Sequence, residues 1–303
     1  MTNSEFLSAI SSNAAVIEKN LSDKLDLIKN DGGYEKFKTL ENSMRYSLLA
    51  GGKRIRPCLV IEFARLFGGN DSADAAFDYA CAIEMVHTFS LIHDDMPCMD
   101  NDELRRGKPT NHKVFGESTA LLAGDATLAY AFEVLPSARL SDKQNLAAYA
   151  ALAKYTGPCG MCGGQQIDLE NEGKKIALDT LQTLHAKKTG ALIKCSCILG
   201  CIAAGFFERS REYEDACEYA CDIGLAFQIA DDILDVTGDE NKLGKKCGSD
   251  EKDSKNTYVT ILGIQKAEQT AAELCKKAKC AISKYNNSSF LCSLADYVIN
   301  RES

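Results

Sequence analysis

The sequence predicts an all-α protein folded as a single domain, and three observations carry that reading. Helical periodicity runs through the chain, clearest over residues 118–135 and 216–234, and no period-2 alternation bounded by hairpin signals appears. With five Pro and no Trp in 303 residues, few obligatory breaks interrupt long helices. Clusters rich in Gly, Asn and Asp fall at 30–33, 68–71, 99–111, 157–164, 171–173, 238–256 and 286–289, and they delimit about eight to ten helices. No repeat, low-complexity tract or linker divides the chain, so residues 1–303 are expected to form one domain.

Taken in order, residues 1–20 lack a basic start and a continuous apolar run. They predict an amphipathic helix with Phe6, Ile10, Ile17 and Leu21 facing a core, rather than an export signal, and the expected location is the cytoplasm. The most apolar stretch, 195–207, falls short of the roughly 20 residues a bilayer helix needs, so it predicts a buried helix. Fourteen Cys without an export signal imply reduced thiols acting as small buried hydrophobes. Cys159 and Cys162 form a CxxC, but no second pair follows at zinc-ribbon spacing. Hydrophobic residues make up 45% and charged residues 26%, which excludes disorder. The net charge of -8 argues against a nonspecific nucleic-acid partner or an anionic membrane surface.

Chemistry concentrates in two acidic segments, each closing an otherwise apolar helix: HDDMPCMD, with Asp94, Asp95 and Asp100, and QIADDILD, with Asp231, Asp232 and Asp235. Asp231 and Asp235 are four apart and share a helix face. Asp94 and Asp100 would diverge on a continuous helix, but Pro97 favours a break that swings Asp100 back. Crowded carboxylates in apolar surroundings are costly, and hard divalent cations with oxygen ligands relieve them. Basic segments accompany them: GGKRIRP (51–57), Arg105–Arg106, Lys187–Lys188 followed by Thr189, and Lys245 and Lys255. Carboxylate-held Mg²⁺ beside Arg and Lys is suited to gripping phosphates, so a polyphosphate substrate is expected.

These segments, together with LLAGDA, GGQQIDLE, KKTGALI, FQIADDILDVTGD and LGKKCGSDEKDSKNTY, make the chain resemble trans-isoprenyl diphosphate synthases, nearly end to end. It is most similar to bacterial farnesyl and plant or bacterial geranylgeranyl diphosphate synthases. The resemblance implies a bundle of about ten long helices around a central cavity, usually a homodimer, and Mg²⁺-dependent head-to-tail prenyl transfer. It implies that Asp94 and Asp100, supported by Asp95, hold two Mg²⁺, and that Asp231 holds a third with Asp232 and Asp235 on its water shell. It further implies that Arg105, Lys188, Lys245 and Lys255 grip the allylic diphosphate, and that Lys53, Arg56, His87 and Arg106 grip isopentenyl diphosphate in an all-cationic pocket. Thr189 and Gln228 would face the developing carbocation. Phe89 and Ser90, five and four residues before Asp94, would set product length; a bulky Phe89 points to C15, with C20 the alternative. A di-iron reading of Glu84 and His87 fails for want of a second ExxH pair. His93 and His185 are expected only to form structural hydrogen bonds. A terpene cyclase lacks support because Asp235 and Asp239 occupy its Ser/Thr and Glu positions, and a noncatalytic subunit lacks support because no expected aspartate or basic anchor is missing.

Overall fold

The computed structural model describes residues 1–237 and 256–300. The chain runs α1 (Asn3–Ile28), α2 (Tyr34–Leu48), α3 (Ile55–Ala75), α4 (Phe77–Asp94), a hairpin of β1 (Leu104–Arg105) and β2 (Lys108–Pro109), α5 (Asn111–Phe115) and α6 (Glu117–Val134). It continues through α7 (Asp142–Thr156), α8 (Met161–Asn171), α9 (Leu178–Lys188), α10 (Gly190–Ala203), α11 (Arg211–Thr237), α12 (Tyr258–Leu262), α13 (Ile264–Ile282) and α14 (Ser289–Asn300). The fold is all-α. Twelve of the described helices have eleven or more residues, against about ten expected. Two further five-residue helices, α5 and α12, are cut off by single glycines with no Asn/Asp cluster to announce them: Gly116 and Gly263 have φ of 82° and 78°. The two-residue strands, paired Leu104 to Pro109 and Arg105 to Lys108, are too short to leave a periodic signal.

Helix starts follow local chemistry. Thr2 and Glu5 form a capping box on α1, and Ser141 and Gln144 form one on α7, satisfying amides the first turn leaves open. As expected, α1 buries Phe6, Ile10, Ile17 and Leu21, joined by Leu25. Helix α10 is buried on every side from Cys195 to Ala203, and α4 is nearly so, which makes these two the inner helices. Helices α3 and α10 face two apolar clusters at once. Cys58, Val60, Cys195 and Leu199 join α4, α6 and α7, while Leu59, Phe63, Cys197 and Cys201 join α11, α13 and α14. The thiols divide accordingly: Cys58, Cys81, Cys195, Cys197, Cys201 and Cys275 are buried, whereas Cys98, Cys159, Cys162, Cys221 and Cys280 are exposed. The expectation of buried thiols holds only for the first group. No described helix is long and apolar enough to cross a membrane.

One close contact ties α3 to α10. A Cβ on Gly200 would lie 2.5 Å from the Val60 carbonyl oxygen and 2.6 Å from the Phe63 Cβ. Backbone cannot yield as a flexible side-chain tip can, so Gly200→Ala is expected to lower the urea-unfolding free energy by about 1–3 kcal/mol. An unchanged midpoint and slope would show that the two helices separate freely.

Candidate active site

Helix α4 places four of the expected residues, His87, Phe89, Ser90 and Asp94, along one inner helix. His87 and Phe89 precede Asp94, the last helical residue. Beyond it the chain turns back: the Asp100 amide donates to the Asp94 carbonyl at 2.9 Å and the Asn101 amide to Met96 at 3.1 Å, with Asn101 at a φ of 53°. The break near Pro97 therefore brings Asp100 alongside Asp94, as the sequence suggested. Asp95 is 4% exposed and is held by Arg105, whose Nε and Nη2 donate to the same carboxylate oxygen at 2.8 and 2.5 Å. Such a charge-assisted fork fixes both partners. It ties the hairpin bearing Arg105 to the helix end, with Asp95 and Arg105 in one recess and Asp94 lining another.

Three neighbouring cavities share walls here. The largest, about 410 Å³, is bounded by Phe89, Ser90, Asp94, Met161, Lys188 and Thr189. A second, about 200 Å³ and more polar, shares Lys188 and Thr189 and adds Asp100, Asp168, Gln228 and Asp232. The third, about 290 Å³, shares Arg56 and His87 with the first and gathers Lys53, Arg106 and Asp231. Thus Asp232 shares a chamber with Asp100 and Lys188, while Asp231 lies among the bases. Asp235 is 2% exposed on the following turn of α11. Arg105 sits apart from these chambers, in a small recess with Asp95 and Arg106. Lys245 and Lys255 lie outside the described residues.

Residues 37–288 match the polyprenyl synthetase family. The chain belongs to that family. It is 47% identical over 268 residues to a chloroplastic geranylgeranyl pyrophosphate synthase from Capsicum annuum, covering 87% of this chain and 72% of the relative. It is also 47% identical over 236 residues to a farnesyl diphosphate synthase from Geobacillus stearothermophilus, covering 77% and 78%. An FPP/GFPP synthase structure from Zymomonas mobilis superposes with a TM-score of 0.84 at 36% identity, covering 98% of this chain and 100% of that one. The chain is a trans-prenyl diphosphate synthase, as its aspartate and basic motifs led one to expect.

In this synthase the charges are balanced unevenly. Burial pushes the Asp94 carboxyl up to about 6; Lys188 opposes the shift and Asp100 adds to it. Burial also opposes the Lys188 charge, yet Asp168, bonded to its Nζ at 2.5 Å, holds that ammonium above its usual range. The Thr189 hydroxyl donates to Gln228 Oε1 at 3.2 Å, and Gln228 Nε2 donates to Asp232 at 3.1 Å. The Tyr258 amide donates to the other Asp232 oxygen at 2.7 Å. The basic chamber corrects one expectation: it is not all-cationic. Burial, reinforced by Arg56, drives His87 well below the usual imidazole range, and Glu84 and Asp231 also line the chamber. His87 is therefore neutral, with Arg56 Nη1 3.3 Å from its Nε2.

Sequence reasoning missed the residues that assemble this chamber. Arg54, 3% exposed with φ of 51°, bonds Glu84 at 2.6 Å, Glu18 at 3.0 Å and the Leu48 carbonyl at 2.7 Å. Arg106 donates to the Gly51 carbonyl, and a Cβ on Gly52 would lie 2.8 Å from its guanidinium carbon. Lys53 lies 5.4 Å over the Tyr297 ring, so α14 closes the chamber. The paired glycines before a basic run were the only sequence signal for this packing. The second orphan was the apolar wall of Met161, Cys162 and Leu192, which carries no motif of its own.

Asp94 supplies a pH test. Its folded pKa lies above the ordinary 3.8, so its contribution favours folding at low pH and is lost as pH rises through about 6. In chelator at pH 8, Asp94→Asn is expected to be more stable than the parent by about 1 kcal/mol, after allowance for partial solvent screening. The difference should vanish by pH 4; equal melting temperatures at pH 8 would refute the strained-carboxylate account.

Proposed function

We propose that this synthase condenses isopentenyl diphosphate with dimethylallyl or geranyl diphosphate, releasing diphosphate and giving mainly farnesyl diphosphate, C15. The observation that carries the reading is the aromatic ring of Phe89, 7% exposed, in the wall of the 410 Å³ cavity below Asp94. At about 1.5 Å per residue it lies roughly 7.5 Å down the helix from Asp94, where a growing tail would meet it. A second reading, C20, is favoured by the likeness to the Capsicum annuum enzyme.

The residues fit the expected Mg²⁺. Asp94 and Asp100 supply hard oxygen donors beside one another, and burial makes Asp94 a carboxylate in want of a positive partner. Among the described residues no three His, Cys, Asp or Glu side chains form a complete metal cage. Mg²⁺ binds one or two carboxylates and completes its shell with water and phosphate oxygens. Asp94 and Asp100 would hold two ions and Asp231 a third, with Asp95, Asp232 and Asp235 in support. When bound, Mg²⁺ neutralises the departing diphosphate and makes it a better leaving group.

The chain's own side chains perform the rest. Lys188, Arg105, Lys245 and Lys255 hold the allylic diphosphate, and Lys53, Arg56 and Arg106 hold isopentenyl diphosphate while neutral His87 contributes a hydrogen bond. Thr189 and Gln228 present uncharged oxygen dipoles to the developing carbocation, which stabilises it without covalent capture. The apolar wall of Met161, Leu192 and Phe89 keeps water from the cation. The reading of residues 1–303 as one domain is supported among the described residues by α3 and α10, which belong to both apolar clusters. A homodimer is supported by exposed apolar residues on α6, Leu121 and Leu122 at 46% and 57%. The expected site of action is the cytoplasm.

Two measurements test this. Purified protein with Mg²⁺, labelled isopentenyl diphosphate and each allylic primer is expected to give C15, and no elongation with any primer would refute the reading. Phe89→Ala is expected to lengthen the products, and an unchanged C15 profile would remove Phe89 as the floor. Separately, Arg56→Ala is expected to weaken capture of isopentenyl diphosphate, raising its KM about 10- to 100-fold, the loss typical of a charged hydrogen-bond partner. An unchanged KM would move that substrate out of the basic chamber.

A further inference from the structure

Phe89 does not stand alone in the cavity wall. One turn further along α4, the His93 ring packs edge-on against it, with centroids 5.6 Å apart and planes at 90°. His93 also lines the cavity. Its far edge is anchored on α6, where Nε2 lies 3.1 Å from the Leu121 carbonyl oxygen and 3.7 Å from an Asp125 carboxylate oxygen. Only a missing side chain permits this seat: a Cβ on Gly124 would lie 2.2 Å from His93 Nε2 and 2.4 Å from Cδ2. Gly124 is buried within α6 and its φ is not among the positive ones, so no backbone conformation explains the residue there. Its lack of a side chain serves the imidazole.

We propose that Gly124 and His93 form a positioning pair that holds the Phe89 ring and thereby sets product length. This rests on the reading of Phe89 as the tunnel floor. A phenylalanine rotates between staggered wells unless a neighbour restricts it, and the edge-to-face contact with a ring fixed at its far end supplies that restriction. Removing His93 releases Phe89 and deepens the tunnel. Adding a methyl group at Gly124 acts oppositely: it drives the imidazole away from α6 towards its open side, the cavity, and shortens the space left for the tail.

The test compares product distributions of His93→Ala, Gly124→Ala, Phe89→Ala and the double variants at equal substrate conversion, so that a general loss of rate leaves the readout unmoved. His93→Ala is expected to shift the ratio of adjacent chain lengths about five-fold towards longer products, the change expected on losing one aromatic contact. Gly124→Ala should shift it towards shorter ones. In the double variant His93→Ala/Gly124→Ala there is no ring to displace, so the distribution should follow His93→Ala. Adding His93→Ala to Phe89→Ala should lengthen nothing further. If Phe89→Ala lengthens products but neither His93→Ala nor Gly124→Ala alters them, the positioning pair is overturned and the floor stands. If Phe89→Ala itself has no effect, the floor fails and the pair with it. A further shift of His93→Ala in the Phe89→Ala background would also overturn the pair, because His93 would then act without Phe89. Should Gly124→Ala not fold, His93→Ala and its combination with Phe89→Ala decide the matter, since neither introduces the clash.

Discussion

The buried guanidinium of Arg54 is the constraint on which the active-site geometry rests. Burying such a charge costs several kcal/mol unless it is paired and its donors are satisfied, and breaking one partner of such a pair is more damaging still. Here Glu84, Glu18 and the Leu48 carbonyl share it, which draws α1, the end of α2 and α4 to one point. The loop after α2 must enter a left-handed conformation at Arg54 to deliver that side chain, and so Lys53 and Arg56 emerge on the cavity side. From Glu84 onward α4 acts as a ruler. Ten residues at about 1.5 Å each separate it from Asp94, so the basic and acidic ends are held roughly 15 Å apart along one stiff helix.

A second device fixes the cavity rim. The hairpin after the aspartate loop is too small to be stable by itself, yet both of its arginines are engaged, Arg105 by Asp95 and Arg106 by the Gly51 carbonyl. Asn111 at the start of α5 bonds Ser43 and Ser47 of α2, and the Thr110 hydroxyl bonds the Asp102 carbonyl. The hairpin is thereby bolted at both ends to helices that were already in place. The arginines are positioned by what they touch, since two-residue strands supply little order.

Much of this was legible in the sequence because it is local. Helical periodicity reports burial within one element, which is why α1 buries the four apolar residues expected of it, whereas the buried helix expected over 195–207 stops at Ala203, where Gly205 with φ of 87° turns the chain. The return of Asp100 to Asp94 was legible because Pro97 acts on its immediate neighbours. The illegible features join residues far apart in sequence: Gly52 with Arg106, Gly200 with Val60, Lys53 with Tyr297. Each depends on a tertiary approach that no pattern records. The neutrality of His87 was hidden for the same reason, since a ring surrounded by bases and removed from water gives up its proton whatever its sequence neighbours are.

The discomfort of Asp94 has a consequence outside catalysis. A molecule that binds only the folded chain stabilises it by mass action, by about 2.7 kcal/mol when present at a hundred times its dissociation constant. Any cation or cation-bearing substrate that relieves Asp94 acts in this way. The starved protein is thus the form that opens more often and meets proteases more often. Abundance in the cell would then follow the supply of ligand, with occupied chains surviving longer than idle ones.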